Sequence, residues 1–546
     1  MSNLLVPIRQ FLRVCRRCRN DVKFADSTGV SLTGSNTLLR TLILRRLFHR
    51  ILNKDEINVG LLMPTSVYGV LANLGLNLDR RTTINLNYTF NIETINNCIR
   101  KAEIKHIITS KKLLERFPNM KLDAELVIME ELPNRVTLLD KLTAWIDTYI
   151  TPINALEIAL GLTRIKSDDL ITIIFTSGST GSPKGAMISQ NAIAENVIAF
   201  VERLQLTDNE PLLGTLPLFH AYGYSTTFWL PALTNLTGVY HFNPLEYKRV
   251  GEVARKFKCT MFPTTPTFLR GYLRQCEPED FATTNTVVGG AEKLPIEFID
   301  QWERKFGHRP VEGYGTTELS PVVSTNVPKT RRADYKEWSR EGTIGRPFFN
   351  LEARITDPET NEVLPADVAG MLQIKGPTVM QGYYKDKKKT DAVLKDGWYS
   401  TGDIATIDAD GFIKITGRLT RISKIGGEMV PHSLIEEEIE KIINETRSEH
   451  EIDNAKISTA VSAVPDEVKG ERIIVLLQED VKITPQEICK KLQQSGLPNI
   501  WIPAPSNFYN IKSIPTLGTG KLDLQGVKKY ATELCLTRNS EIRKQN

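Results

Sequence analysis

At 546 residues the chain is longer than one ordinary hydrophobic core supports, and a composition of 41% apolar and 24% charged residues excludes a disordered polymer. No run approaches the ~18 consecutive apolar residues of a membrane-spanning helix, and the N-terminus lacks the apolar stretch and small-residue cleavage site of a secretory signal, so a cytoplasmic multidomain protein is expected. A net charge of +5 from 69 basic and 64 acidic residues gives no reason to expect a nucleic-acid partner.

The first fifty residues are the exception to that balance, with ten Arg and Lys against two Asp. Arg9, Arg13, Arg16, Arg17 and Arg19 alternate there with Leu4, Leu5, Val6, Ile8, Phe11, Leu12 and Val14. Two readings stand side by side: peripheral contact with anionic lipid at the inner membrane face, or a basic helix solvated or docked on the protein's own acidic surface. Cys15 and Cys18 form a CxxC with no second pair or nearby histidines, so zinc is not expected. The seven cysteines, an odd number running to Cys535, suit a reducing compartment.

Further along, Asn58-Val59-Gly60-Leu61-Leu62-Met63 reads as a strand. Leu170 to Phe175 is a short β-rich run, and Ile193, Val197, Phe200 and Val201 stand at helical spacing after Ser189, which predicts strand, loop, helix. Phe219, Tyr222, Tyr224, Phe228 and Trp229 suit either the wall of an aliphatic tunnel or an ordinary core. Thr286-Val287-Val288 is again strand-like, and Pro295 to Phe306 is helical. The alternation favours an α/β fold of layered, mostly parallel sheets. Between Lys414 and Pro431, Gly417, Gly426 and Gly427 interrupt regular structure, which places a domain boundary there and divides the chain into 1–417 and 418–546.

The loop after the Leu170 run carries the most chemistry. It reads Thr176-Ser177-Gly178-Ser179-Thr180-Gly181-Ser182-Pro183-Lys184-Gly185. Glycines admit phosphate close to the backbone, hydroxyls and amides donate to its oxygens, and a lysine adds mobile positive charge, so a nucleoside triphosphate fits. Gly185 stands where a Walker loop needs Ser or Thr, so this is a different kind of phosphate loop. A Gly/Ser-rich surface linker is the bland alternative, but linkers rarely follow a buried strand so directly.

The loop resembles the phosphate-binding signature of the adenylate-forming (AMP-binding) enzymes, the superfamily of acyl-CoA synthetases, peptide-synthetase adenylation domains and luciferases. Other signatures follow in the family's order: Leu216-Pro217-Leu218-Phe219-His220, Gly289-Gly290-Ala291-Glu292-Lys293, and Glu312-Gly313-Tyr314-Gly315-Thr316-Thr317-Glu318. Trp398 to Asp403 comes next, then Gly417-Arg418 with Lys424 to Glu428, then Pro515 to Lys521. Each motif alone is weak, whereas their ordered succession is not.

The resemblance implies a large N-terminal domain of layered sheets and helices and a smaller, mobile α+β C-terminal domain. It implies ATP and Mg2+ as cofactors, and a fatty acid joined first to AMP and then to the thiol of coenzyme A or of acyl carrier protein phosphopantetheine. Thr317, Glu318 and Lys521 would be catalytic, Glu318 holding the metal and Lys521 bridging phosphate and carboxylate. The nucleotide would contact Thr176, Ser177, Gly178, Ser179, Thr180, Gly181 and Lys184. It would also contact Gly290, Ala291, Glu292, Glu312, Gly313, Tyr314, Gly315 and Thr316, with Asp403 on the ribose and Arg418 nearby. Phe219 and His220 would border the acyl site, with His220 as a gate or packing group. Gly426 and Gly427 would line the thiol channel after rotation about a hinge, where Thr420 stands in place of the family's usual Asp or Lys.

Residues Gly289 to Lys293, Glu312 to Val327 and Arg418 to Val430 are most similar to the synthetase half of the bifunctional acyl-acyl-carrier-protein synthetase/2-acylglycerophosphoethanolamine acyltransferases, alongside long-chain acyl-CoA ligases. The HxxxxD motif of an acyltransferase is missing, since His49 to Asp55 has the wrong spacing. A non-catalytic acyl or nucleotide sensor, and adenylation of another carboxylic acid, are the competing readings.

Overall fold

Alternating β-rich runs and amphipathic helices lead to parallel strand pairing, as the sequence predicts. The computed structural model describes residues 6–117, 120–176, 183–425, 428–447, 457–466, 470–516 and 522–545. The fold is α/β. The chain divides into two units: residues 1–354, 373–401 and 407–414, and residues 355–372, 402–406 and 415–546.

Two sheets built from the first unit carry it. In the six-stranded sheet, Asn58–Leu62 lies between Thr82–Asn85 and His106–Thr109, all parallel, and Leu170–Thr176 joins the edge of Thr82–Asn85. Next comes a departure from the expected strand, loop, helix. Lys184–Ser189 is itself a strand, antiparallel to Leu170–Thr176 with Thr176 opposite Lys184, and Ser189 then caps the helix Gln190–Leu204. The phosphate-type loop thus connects two antiparallel strands in sequence. The second of these strands begins on Lys184 and Gly185, which carry little β signal, and is held by non-local pairing. Gln381 to Tyr384 hydrogen-bonds along that strand, Met187 N donating to Gly382 O at 2.9 Å and Tyr384 N to Gly185 O at 2.7 Å.

In the eight-stranded sheet, Thr237–Tyr240, Pro211–Gly214, Met261–Thr264, Thr286–Gly289 and Val311–Gly315 run parallel in that order, and Val322–Thr325 closes the edge antiparallel. Phe262, Tyr272, Phe281, Trp302 and Phe306 form the aromatic core beneath it, with the helix Ile296–Phe306 laid across. At the N-terminal ends of these strands the buried Glu210 carboxylate takes both terminal nitrogens of Arg331 and the hydroxyls of Thr207 and Thr260, while Arg331 also reaches Thr286 and Asn285. Burial raises the pKa of this carboxyl, but the bonds from Arg331 and Thr207 outweigh it and hold the group down at about 2.

In the second unit, Gly470–Gln478 is the central strand, antiparallel to Thr459–Asp466 and parallel to Phe508–Ile511. Its run Ile473 to Leu477 is buried on both faces: Ile473, Val475 and Leu477 meet the helix His432–Asn444, and Ile474 and Leu476 meet Val527, Ala531 and Cys535. The described residues of 414–431, a stretch read above as an interruption, are regular. Ile422–Ile425 and Glu428–Pro431 pair as a hairpin with Ile425 opposite Glu428. Two glycines between β-rich runs are a hairpin signal, and a reading that treats glycine only as a breaker passes over it.

The basic N-terminal helix Pro7–Arg17 buries Ile8, Phe11, Leu12, Val14 and Cys15, and Arg9, Arg13 and Arg16 engage the protein itself. Of the two readings of this segment, docking on the protein's own acidic groups is the one observed. Arg9 pairs with Glu157 at 2.7 Å, and Arg16 donates to the carbonyls of Asp147 and Thr151 at 2.8 Å. Burial pushes the Cys15 and Cys18 thiols up. No helix among the described residues is long and apolar enough to cross a membrane.

Candidate active site

Parallel strands leave their C-terminal ends as the natural place for a ligand, since the loops that follow can approach without meeting a ladder. The Thr286–Gly289 strand ends in Gly290 and Ala291, and the Val311–Gly315 strand supplies Glu312, Gly313, Tyr314 and Gly315. Two glycines there are required by space. A Cβ on Gly315 would stand 2.0 Å from the Pro321 carbonyl oxygen, and one on Gly290 would meet the Tyr222 ring at 2.9 Å. Tyr222 is fixed in turn by its hydroxyl, which donates to Val288 O at 2.9 Å. Ala291 takes a left-handed φ of 68°, and the Glu292 carboxylate accepts from Thr267 at 2.6 Å.

Immediately after Gly315 the chain turns through Thr316 into the short 3-10 segment Thr317–Leu319. Glu318 is half-buried, its carbonyl accepts from Met380 N at 2.8 Å, and its Oε1 accepts from the Tyr383 hydroxyl at 2.8 Å. Burial, then the neighbouring Glu318 charge, pushes the Tyr383 phenol up, so Tyr383 keeps its proton and donates. Across the Tyr383 ring, Lys184 Nζ lies 5.3 Å from the centroid. Tyr399 is buried, and its phenol is also raised, by burial first and then by Glu318. One phenol therefore stands between the lysine that closes the phosphate-type loop and the one carboxylate of the Glu312–Glu318 motif that it hydrogen-bonds.

The pairing of Gln381 to Tyr384 along the Lys184–Ser189 strand puts Tyr383 there. The motif reading did not single out Tyr383. Its signal was Gly382-Tyr383-Tyr384, beyond the irregular stretch that follows the strand Gly370–Lys375, a weak pattern without the sheet to show where it docks.

The other candidates fall as follows. Thr176 ends the first of the two antiparallel strands, opposite Lys184. Ser177, Gly178, Ser179, Thr180, Gly181, Gly426, Gly427 and Lys521 lie outside the described residues. Phe219 is buried edge-on to Tyr88 at 4.8 Å, and the exposed His220 lies against Phe219 at 4.6 Å. Tyr224, Phe228 and Trp229 are wholly buried against one another in a π-helical turn, which makes them core. In the second unit, Asp403 is 2% exposed and accepts from Arg418 Nε at 2.9 Å, while the Arg418 side chain is largely in solvent. Thr420 belongs to the 3-10 turn Leu419–Arg421.

A single carboxylate beside hydroxyls suits a magnesium ion carried mainly by a substrate's phosphates and by water. Among the described residues no group of three or more His, Cys, Asp or Glu could form an all-protein cage.

The family described as "AMP-binding enzyme" matches residues 11–384. The chain is 30% identical over 373 residues to a long-chain-fatty-acid–CoA ligase of Bacillus subtilis, covering 67% of this chain and 62% of that protein. It spans 55–62% of the length of the long-chain-fatty-acid–CoA ligases matched from Bacillus subtilis, Yersinia pestis and Salmonella typhimurium. Among solved structures it is similar to ATP-bound MatB from Rhodopseudomonas palustris, with a TM-score of 0.77 at 22% identity, over 96% of this chain and 99% of that one. It is equally similar to the o-succinylbenzoate CoA synthetase MenE of Bacillus subtilis with its acyl-adenylate intermediate, with a TM-score of 0.77 at 18% identity over 95% and 98%.

Proposed function

Because the chain belongs to the AMP-binding enzyme family, we propose that it is an acid–thiol ligase that activates a long-chain fatty acid with ATP. In the first step the carboxylate oxygen attacks the α-phosphorus of ATP, the bond to the β-phosphate oxygen breaks, and acyl-AMP and pyrophosphate form. In the second a thiol attacks the acyl carbon, AMP leaves, and the thiol proton is released. The observation that carries this reading is the placement of Lys184 and Glu318 on one tyrosine, with the Gly/Ser/Thr loop bounded by Thr176 and Lys184.

The attacking carboxylate and the triphosphate are both anions, so the site must offset their repulsion. Lys184 and the hydroxyls and amides of 176–181 would hold the phosphates. Glu318, with Thr317 beside it, would hold magnesium, which when bound supplies positive charge to the phosphate oxygens. Tyr383 orients Glu318 by its hydrogen bond. Glycine at 290, 313 and 315 leaves a shelf for the adenine beside Tyr314, with Ala291, Glu292, Glu312 and Thr316 on its rim. Asp403 accepts from the ribose hydroxyls, with Arg418 fixing its orientation. Lys521 bridges phosphate and carboxylate, and the 418–546 domain then turns about Thr420 so that Gly426 and Gly427 line the thiol channel. The names of the ligases matched at 29–30% identity support a long acyl chain, and Phe219 and His220 would border its entry.

The test is acid-dependent exchange of labelled pyrophosphate into ATP across short, medium and long fatty acids, followed by thioester formation on coenzyme A and on phosphopantetheinylated acyl carrier protein. Exchange that requires a long acid is expected. Exchange with short acids alone would overturn the chain-length assignment, and none with any acid would return the protein to the sensor reading. The better acceptor identifies the thiol.

A further inference from the structure

The helix Leu138–Tyr149 is turned inside out. Amphipathic helices ordinarily bury their apolar face and show their charges to water. Here Thr137 and Asp140 cap the first turn reciprocally, and Asp140, buried, accepts from both terminal nitrogens of Arg50 at 3.1 Å. Asp147 takes Arg46 at 2.9 Å, and its carbonyl takes Arg16. The short helix Ile153–Ala159 repeats the pattern, since Glu157 is 1% exposed and held by Arg9 and Arg13 at 2.7 and 2.9 Å. These are the three acidic residues of 136–160, and each is engaged by arginines of the helices Pro7–Arg17 and Gly34–Ile51.

The opposite face is apolar and open. Leu138, Leu139, Leu142, Trp145, Ile146 and Ile150 are 37–84% exposed, and Ile158 continues the patch at 67%. On that face and its rim the charges are positive: Lys141 and Arg135 are exposed, and the Arg19 guanidinium lies over the Tyr149 ring at 5.9 Å. An apolar stripe with a tryptophan in it, cations beside it and the acids of 136–160 all turned to the other face is the chemistry of a helix lying in the headgroup layer of an anionic bilayer. A second copy fits poorly. A two-fold contact would bring this face's own cations together with no acid of 136–160 to meet them.

We propose that the Leu138–Ile150 face, continued by Ile158, is the surface by which this protein rests on anionic phospholipid. The lipid-facing residues then lie on this helix, and the N-terminal arginines serve to hold it in its inverted orientation. This assignment does not depend on the adenylation chemistry.

The experiment is flotation of the full chain with phosphatidylcholine vesicles that contain phosphatidylglycerol, against phosphatidylcholine alone, at low and high salt. Wild type should float with the anionic vesicles and be released by salt. The double variant Leu139→Glu/Leu142→Glu should lose partitioning by on the order of a hundredfold or more, with circular dichroism unchanged because both side chains are exposed. Independently, vesicles should blue-shift the tryptophan emission of wild type but not of Trp145→Phe. Failure of wild type to bind anionic vesicles, or a double variant that still binds, overturns the proposal. So does a concentration-dependent dimer abolished by the same substitutions, which would give the face to a second copy.

Discussion

Glu318→Gln is expected to lower long-chain-acid-dependent pyrophosphate exchange by ~100- to 1,000-fold, the usual loss when one group aimed at transition-state charge is removed. The glutamine keeps the size of the side chain and an oxygen to accept the Tyr383 bond seen at 2.8 Å, so folding should be unaffected and the loss should follow the missing negative charge. Tyr383→Phe separates positioning from metal holding. It removes one hydrogen bond to a charged acceptor, worth ~1.5–3 kcal/mol, so a loss of about tenfold to a hundredfold is expected, with the half-saturating concentration of magnesium rising. A purely structural Tyr383 would leave the magnesium dependence unchanged. Lys521→Ala should match Glu318→Gln in exchange, yet spare thioester formation from acyl-adenylate supplied ready-made, because the proposed role of Lys521 ends with the first step. Equal loss in both half-reactions would show that Lys521 acts in both.

The parts of this site that were legible in the sequence are those where chemistry is written into consecutive residues. The Thr176 to Gly185 loop announces phosphate by composition, the Glu312 to Glu318 motif is implied by resemblance to the adenylate-forming enzymes, and the structure places the described ends of both at one phenol. What escaped is non-local. Tyr383 is aimed at Glu318 because its segment docks on the edge of a strand some two hundred residues earlier, and no local pattern encodes that docking. The Lys184–Ser189 strand and the Ile422–Ile425 hairpin were hidden by glycines that read as breakers but flank or join paired strands. The N-terminal arginines look like a free basic surface until Glu157 and Asp147, more than 130 residues away, are brought against them. Period and charge in 138–150 show an amphipathic helix, but periodicity is blind to which face points inward, and the buried partners decide that.

Glu210→Ala is expected to destabilise the first unit by ~3–5 kcal/mol, the cost of leaving Arg331 buried with no counter-charge. The two side chains are 11% and 7% exposed, and Thr207, Thr260, Thr286 and Asn285 complete the network, so water cannot readily replace the lost partner. The network joins the N-terminal ends of the Pro211–Gly214, Met261–Thr264 and Thr286–Gly289 strands, whereas Gly290 follows the C-terminal end of the last of these. Below its unfolding midpoint the variant should therefore retain pyrophosphate exchange. Urea unfolding followed by tryptophan emission checks this, since five of the six tryptophans belong to the first unit. The same pair sets an acid limit. A carboxyl held at about 2 when folded, against ~4.3 when unfolded, adds stability that is complete above the unfolded value and is lost as pH falls through that window toward 2. Wild type should lose stability more steeply than Glu210→Gln between about pH 5 and 2. Parallel curves would mean that Glu210 does not carry the acid sensitivity, and an Ala variant as stable as wild type would mean that Arg331 finds solvent when its partner is removed.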